Sequence, residues 1–192
     1  MYFRPPKVLL EPRDIVVDLG ANVGVFTALA SVVARRVISV EAQSEFVKQI
    51  YDNAARNGAR DRVEVEFGLV GAGSGAFSDA SVLRSASHFG SEPPTLTMPD
   101  LMRRHALDHI DFLKVDIEGS EFALFAGGSE WLNSVEKLAM EVHPAFGDVD
   151  HLVETLRAAG FHADALDYDR RSQPGVAQET RYVLARRRQW RT

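Results

Sequence analysis

The chain has no cysteine. Disulfide frameworks, thiolate metal sites and thiol nucleophiles are therefore excluded. No apolar run is long enough to span a membrane. The opening "MYFRPPKVLL" lacks the long apolar core of a secretory signal. Positive charge is in deficit: 22 Lys and Arg face 27 Asp and Glu, a formal net charge of −5. That balance argues against a nucleic-acid surface. The basic cluster "RRRQWR", Arg186 to Arg191, reads as a solvated tail. No long low-complexity tract is present, so a disordered chain is not expected. These absences together predict a soluble, cytoplasmic protein without membrane or nucleic-acid partners.

What is present is core material. With 45% hydrophobic residues over 192 positions, residues 1–192 suit a single domain. Apolar runs of strand length alternate with helix-period segments. "IVVDL" (15–19) is continuous and β-branched, as expected for a strand buried on both faces. A helical pattern follows, then a second strand at "VISVEA" (37–42). "SEFVKQIYDNAARNG" reads as a helix capped by Ser44 and stopped by Gly58, with Phe46, Ile50 and Ala54 on one face. "RVEVEFGLV" (62–70), "DFLKVDIEG" (111–119) and "VEKLAMEVHP" (135–144) are further strands. "HLVETLRAAG" is another helix, and "FHADALDY" and "TRYVLARRR" form a closing antiparallel pair. Such alternation predicts a parallel sheet with helices on both faces, to which the ending adds one antiparallel strand. The segment from Gly71 to Pro94 is long and poor in large apolar groups, so it reads either as a cover over a substrate or as a surface loop.

The first strand runs into "DLGANVGVF", a strand–glycine turn–helix unit that commonly holds a nucleotide-like cofactor. Gly20 permits the tight turn, and Gly24 should let helix and strand approach closely. A dinucleotide would require G-x-G-x-x-G, but Asn22 and Val25 stand where the second and third glycines belong. S-adenosylmethionine carries no phosphate and fits better. Asp18 can attract its ammonium, directly or through water, and backbone around Gly20 can approach it. Glu41, twenty-one residues after Gly20, can accept hydrogen bonds from both ribose hydroxyls.

A second constellation lies in "LKVDIEGSE" (Leu113 to Glu121) and "MEVHP" (Met140 to Pro144). Strand alternation puts Lys114, Asp116 and Glu118 on one side of one strand, and Glu141 and His143 on one side of the next. Carboxylates at this density repel and need compensation from Lys114, a shared proton, a cation or the cofactor sulfonium. Glu121 alone can be explained as an acid at a helix N-terminus.

Together, "DLGANVGVF", "SVEA", "FLKVDIEGSEFALFAGG" and "MEVHP" resemble the FkbM family of S-adenosylmethionine-dependent methyltransferases over residues 14 to 144. The resemblance implies a seven-stranded Rossmann-like fold and methylation of a hydroxyl oxygen, often on a sugar or natural product. It also places Asp18, Gly20, Asn22, Gly24 and Glu41 at the cofactor, and Asp116, Glu118 and His143 at the reaction edge. Many relatives have a longer N-terminal region, and a homodimer completing the acceptor pocket would compensate for its shortness here.

His143 is the expected general base, because an unperturbed imidazole titrates near neutrality; Asp116 or Glu118 would orient or replace it. A divalent ion is the alternative activator: Mg²⁺ or Mn²⁺ on Glu118, Glu141 and His143 would acidify a bound hydroxyl. The expected acceptor is a saccharide, since a Ser- and Gly-rich loop suits a polyol. His88, Tyr2 and Phe3 are minor acceptor candidates, while Trp131 reads as packing and His105, His109, His151 and His162 show no partner pattern. A nicotinamide oxidoreductase and a non-catalytic cofactor-binding scaffold are the competing functions.

Overall fold

A computed structural model describes residues 8–71, 93–126, 130–166 and 182–188. The elements begin β1 (Ile15–Leu19), α1 (Val25–Val33), β2 (Arg36–Glu41), α2 (Ser44–Arg56), β3 (Val63–Phe67) and β4 (Leu69–Val70). They continue β5 (Thr95–Leu96), α3 (Met98–Arg104), β6 (Ile110–Val115) and α4 (Glu121–Ala126). Last come β7 (Val135–Glu141), α5 (Val149–Ala158), β8 (Phe161–Leu166) and β9 (Tyr182–Arg187).

Seven strands form one sheet in the order β3-β2-β1-β6-β7-β9-β8. β1, β2, β3, β6 and β7 pair in parallel, and β9 is antiparallel to both of its neighbours. Order reverses at β1, where crossovers diverge to opposite sides and leave a crevice at the strand ends. The β-branched run Ile15–Leu19 is buried throughout because helices cover both sheet faces. Val16, Val37 and Phe112 pack with Phe26 and Ala30 of α1 and Ile50 of α2. Val17, Ile38 and Leu113 belong to the other cluster, with Leu101, Leu124 and Leu152 from α3, α4 and α5.

Local chemistry shifts several expected boundaries. Ser44 is the first helical residue of α2, and Gln43 is the cap, without a side-chain cap hydrogen bond. The expected strand 62–70 is interrupted at Gly68, where a methyl would lie 2.4 Å from the Leu96 side chain. Beyond it, Leu69 and Val70 pair with Thr95 and Leu96 in a separate two-stranded sheet. Helix α3 lies between the strands expected at 62–70 and 111–119, a stretch in which the sequence pattern predicts no element. Its signature was present as Thr97 and Asp100: the Asp100 amide donates to Thr97 Oγ1, and that hydroxyl donates to Asp100 Oδ2 at 2.7 Å.

Arg186 and Arg187 are not tail residues but part of β9. The Arg187 guanidinium donates to the carbonyls of Val135, Leu132 and Ala159 and lies 4.4 Å from the Phe161 ring centroid. His105 also has partners: its two ring nitrogens lie 3.0 Å from Glu64 and 3.1 Å from Glu66. His109 contacts Asp108 and Asp111. Trp131 packs on Phe125 with ring centroids 5.6 Å apart, as a core residue should. Among the described residues, no helix is long and apolar enough to cross a membrane.

Two glycines with similar dihedrals separate backbone strain from crowding. Gly20 has φ +73°, and a methyl there would sit 1.8 Å from the Asp116 carbonyl oxygen. Gly58 has φ +69° with nothing within 4 Å of the same position. Gly58→Ala should cost about 1 kcal/mol of left-handed strain, whereas Gly20→Ala adds overpacking and should cost about 3 kcal/mol or more. Urea unfolding midpoints of the two variants check the difference; equal shifts would contradict the close contact between the β1 and β6 ends.

Candidate active site

The site forms where the C-terminal ends of β1, β2, β6 and β7 meet. Asp18 and Lys114 are cross-strand partners in the β1–β6 register, and Asp18 faces Ser39 in the β1–β2 register. Their side chains form a buried polar row. Lys114 Nζ lies 3.1 Å from Asp18 Oδ1, and Thr27 Oγ1 donates to Asp18 Oδ2 at 2.6 Å. The Thr27 and Ser39 hydroxyls are 2.8 Å apart. Lys114 also donates to the carbonyls of Gly20 at 2.6 Å and Leu19 at 3.3 Å, and reaches to 3.7 Å from Asp116 Oδ2.

This geometry modifies the expectation for Asp18. Its side chain is fully buried and already faces a lysine. A direct contact with a ligand ammonium would need exposed surface, so only a route through an intervening group fits the enclosed carboxylate.

The glycine loop is built from left-handed residues. Gly20, Asn22 and Gly24 have φ values of 73°, 52° and 83°. Asn22 Oδ1 accepts a hydrogen bond from the Val23 amide at 2.6 Å, the local bonding that lets asparagine tolerate this region. The close approach at Gly24 is to α2 rather than to a strand: a methyl there would lie 2.9 Å from Ile50 Cα.

Glu41 ends β2 and ties two loops together. Oε2 accepts from the Asn22 amide at 2.6 Å, and Oε1 from the Gln43 amide at 2.8 Å. Burial pushes its carboxyl above the usual range, opposed by the hydrogen bonds from Gln43, Asn22 and Ala42. Each oxygen retains acceptor capacity for a diol.

On the other side of the glycine loop, Asp116, Glu118 and His143 each offer a ligand atom, all within 4.8 Å of one another. Glu118 reaches this group through a turn in which it adopts φ 54°, not through strand alternation. Its Oε2 lies 3.4 Å from His143 Nε2. Asp116 is raised above the usual carboxylate range, chiefly by burial, with Lys114 and His143 opposing and Glu121 and Asp18 adding to the rise. Glu141, at the end of β7 opposite Tyr182, is not in this three-residue group.

The residue that sequence reasoning undervalued is Glu121. It is fully buried at the start of α4. Its Oε1 lies 3.0 Å from His143 Nδ1 and accepts from the Ile117 and Gly119 amides at 3.2 and 3.1 Å. Hydrogen bonding to Glu121 is the largest cause of a rise in the His143 pKa above its usual 6.5; burial opposes it, while Glu118 and Asp116 support it. A helix-terminal acid followed the expected pattern, but nothing in the sequence pointed its side chain inward at residue 143.

The segment expected to cover a substrate lies mostly outside the described residues, at 72–92, and so do His88, Tyr2 and Phe3. Its described anchors are informative. The β4–β5 pair brings Val70 beside Leu96, and a methyl on Gly71 would lie 2.6 Å from the Ser120 carbonyl oxygen. Gly71 therefore lies against the 116–121 turn, while the Pro94 carbonyl accepts from the Leu69 amide at the start of the parallel pair.

Removal of Lys114 tests the buried row. Lys114→Met leaves Asp18 desolvated without its cation and should cost about 3–5 kcal/mol, and Asp18→Asn in that background should recover part of the loss. A denaturant double-mutant cycle measures this; strictly additive losses would contradict the pairing.

A family profile described as "Methyltransferase FkbM domain" matches residues 18–163. No curated protein sequence matches the chain. Among solved structures, the chain is similar to a methyltransferase FkbM from Methylobacillus flagellatus KT, with 17% identity and a TM-score of 0.61. That match covers 97% of this chain and 46% of the other, so this chain spans less than half of that protein's length. It is also similar to an O-methyltransferase from Bacillus cereus in complex with SAH, with 16% identity, TM-score 0.53, and coverage of 91% of this chain and 74% of the other. A precorrin 8W decarboxylase from Methanobacterium thermoautotrophicum aligns at 15% identity and TM-score 0.54, over 92% of this chain and 82% of that one. At such identities the likeness establishes the Rossmann-like methyltransferase fold, and the profile carries the closer assignment: from Asp18 at the glycine turn to Ala163 in β8, the chain belongs to the FkbM methyltransferase domain family.

Proposed function

We propose that the protein is an S-adenosylmethionine-dependent O-methyltransferase acting on a hydroxyl of a small polar acceptor, with a saccharide as the favoured class. The observation that carries this reading is the His143–Asp116–Glu118 group, set against the glycine loop through the Asp116–Gly20 contact and through Lys114. Bound S-adenosylmethionine supplies an electrophilic methyl carbon on a sulfonium.

On the cofactor side, Glu41 would accept from the ribose hydroxyls, and backbone at Gly20, Asn22 and Gly24 would follow the ligand closely. Asp18 acts indirectly by holding Lys114, which fixes the Gly20 carbonyl. On the acceptor side, His143 Nε2 would take the proton of the acceptor hydroxyl as its oxygen is methylated. Asp116 and Glu118 stabilise the imidazolium so formed and can accept hydrogen bonds from neighbouring hydroxyls. Positioning supplies much of the acceleration, because a near-linear displacement needs the oxygen about 3 Å behind the carbon.

A polyol suits this setting. Two carboxylates and an imidazole offer polar partners, and the half-buried Phe146 ring packs on Gly119 next to Glu118. Such an apolar face beside acceptors matches the mixed surface of a sugar ring.

A second activation mode uses the same atoms. The donor set is two carboxylates and one imidazole, which fits Mg²⁺ or Mn²⁺. Asp116, Glu118 and His143 would hold the ion, with Asp116 in the place expected for Glu141. Such an ion would acidify the acceptor hydroxyl.

Calorimetry should show binding of S-adenosylhomocysteine and none of NAD, and incubation with hydroxylated acceptors should add one methyl mass. Binding of NAD alone would favour the oxidoreductase, and cofactor binding without turnover on any acceptor would favour the scaffold. Excess chelator separates the activation modes: unchanged turnover assigns the proton to His143 alone, and loss restored by Mg²⁺ assigns the metal.

The pH dependence has a defined sign. A base must be neutral, and the His143 pKa lies above 6.5 in the folded protein. The value of kcat/KM should therefore rise with pH through an ionisation above 6.5. In Glu118→Gln, which removes one supporting charge, that ionisation should move to lower pH. A profile that stays flat throughout the range in which imidazoles titrate would argue against the base.

A further inference from the structure

The His143 ring has two nitrogens with different surroundings. Nε2 faces Glu118 and the acceptor side, and Nδ1 faces Glu121. Which nitrogen carries the hydrogen decides whether the ring can accept a proton at the reaction edge. We infer that Glu121 is the positioning residue of the site, holding His143 as the Nδ1–H tautomer so that the Nε2 lone pair faces the acceptor.

Three observations carry this. First, Oε1 of Glu121 accepts from the Ile117 and Gly119 amides and lies 3.0 Å from His143 Nδ1. The two amides belong to the same turn as Glu118, so the oxygen facing Nδ1 is fixed by backbone rather than by a mobile side chain. Second, an oxygen that already accepts from two amides is an acceptor toward Nδ1 as well, so the hydrogen between Oε1 and Nδ1 belongs to the ring. In the neutral ring Nε2 is then bare. Third, Glu121 Oε2 is buried and has no hydrogen-bond partner among the described residues. A cap needed only for the turn gains nothing from a second desolvated oxygen, which carries a penalty. A carboxylate that must stabilise an imidazolium has a reason to accept it.

The inference deepens the role of His143 and rests on that residue acting as base or ligand. It holds for either activation mode, because a metal and an alcohol proton need the same bare Nε2.

Nitrogen-15 labelling of histidine, with two-bond nitrogen–proton correlation spectra recorded above the imidazole titration, reads the tautomer directly. Wild type should show His143 protonated at Nδ1. In Glu121→Leu the hydrogen should move to Nε2, where Glu118 accepts it. Then kcat should fall about 10- to 100-fold while the cofactor KM and S-adenosylhomocysteine affinity stay near wild type. Should the leucine variant not fold, Glu121→Gln keeps an acceptor for the turn amides. Its kcat should still fall about tenfold at unchanged KM, because a neutral amide does not stabilise the imidazolium. An Nε2–H wild type, or wild-type kcat in Glu121→Gln, overturns the assignment. Failure of the underlying reading looks different: His143→Ala would then keep full turnover while the tautomer still responded to Glu121→Leu.

Discussion

A single buried ammonium organises the site. Lys114 lies in the middle of the sheet, where an uncompensated charge is costly. Its partners offset that cost and also define the architecture. Asp18 and the Leu19 carbonyl belong to β1, the Gly20 carbonyl to the glycine loop, and Asp116 to the turn after β6. One side chain thus fixes the relative placement of the glycine loop and the 116–121 turn. The Gly20 contact with the Asp116 backbone has the same effect by shape. Charge and shape agree, which leaves those loops little freedom to drift apart.

Around that hub the acids divide their tasks by environment. Glu41 is occupied by two loop amides and keeps acceptor capacity for hydroxyls. Glu118 is largely exposed, so its attraction for His143 is screened by water and modest. Glu121 is enclosed and fixed, so its attraction is the leading influence on the ring. Asp116 stands between Lys114 and His143, where burial lifts it and these two neighbours restrain it. Carboxylates of similar chemistry thereby acquire distinct functions without any unusual residue type.

Much of this could be read from sequence because β-strands advertise themselves. The run Ile15–Leu19 was legible to the residue, since burial on both faces favours a nearly continuous apolar run, here broken only by Asp18. The glycine loop was legible because left-handed backbone restricts residue choice. Grouping Asp116, Glu118 and His143 required only that neighbouring strands end together. Other features depended on tertiary direction. The inward turn of Glu121 follows from a turn with Glu118 at positive φ, which alternation does not foresee. Arg187 looked like tail charge, yet it satisfies the carbonyls of Val135 and Ala159, a role visible only once β9 sits beside β7.

The strand order also constrains how the chain comes together. β9 lies between β7 and β8, so β8 has no sheet partner until a later part of the chain has arrived. During synthesis the earlier parallel strands can assemble while the flank of β7 remains an open template. Only insertion of Tyr182–Arg187 seals that flank and captures β8 in one zippering event. Before that insertion the β7 edge presents unpaired backbone groups, to which a strand of another chain could add.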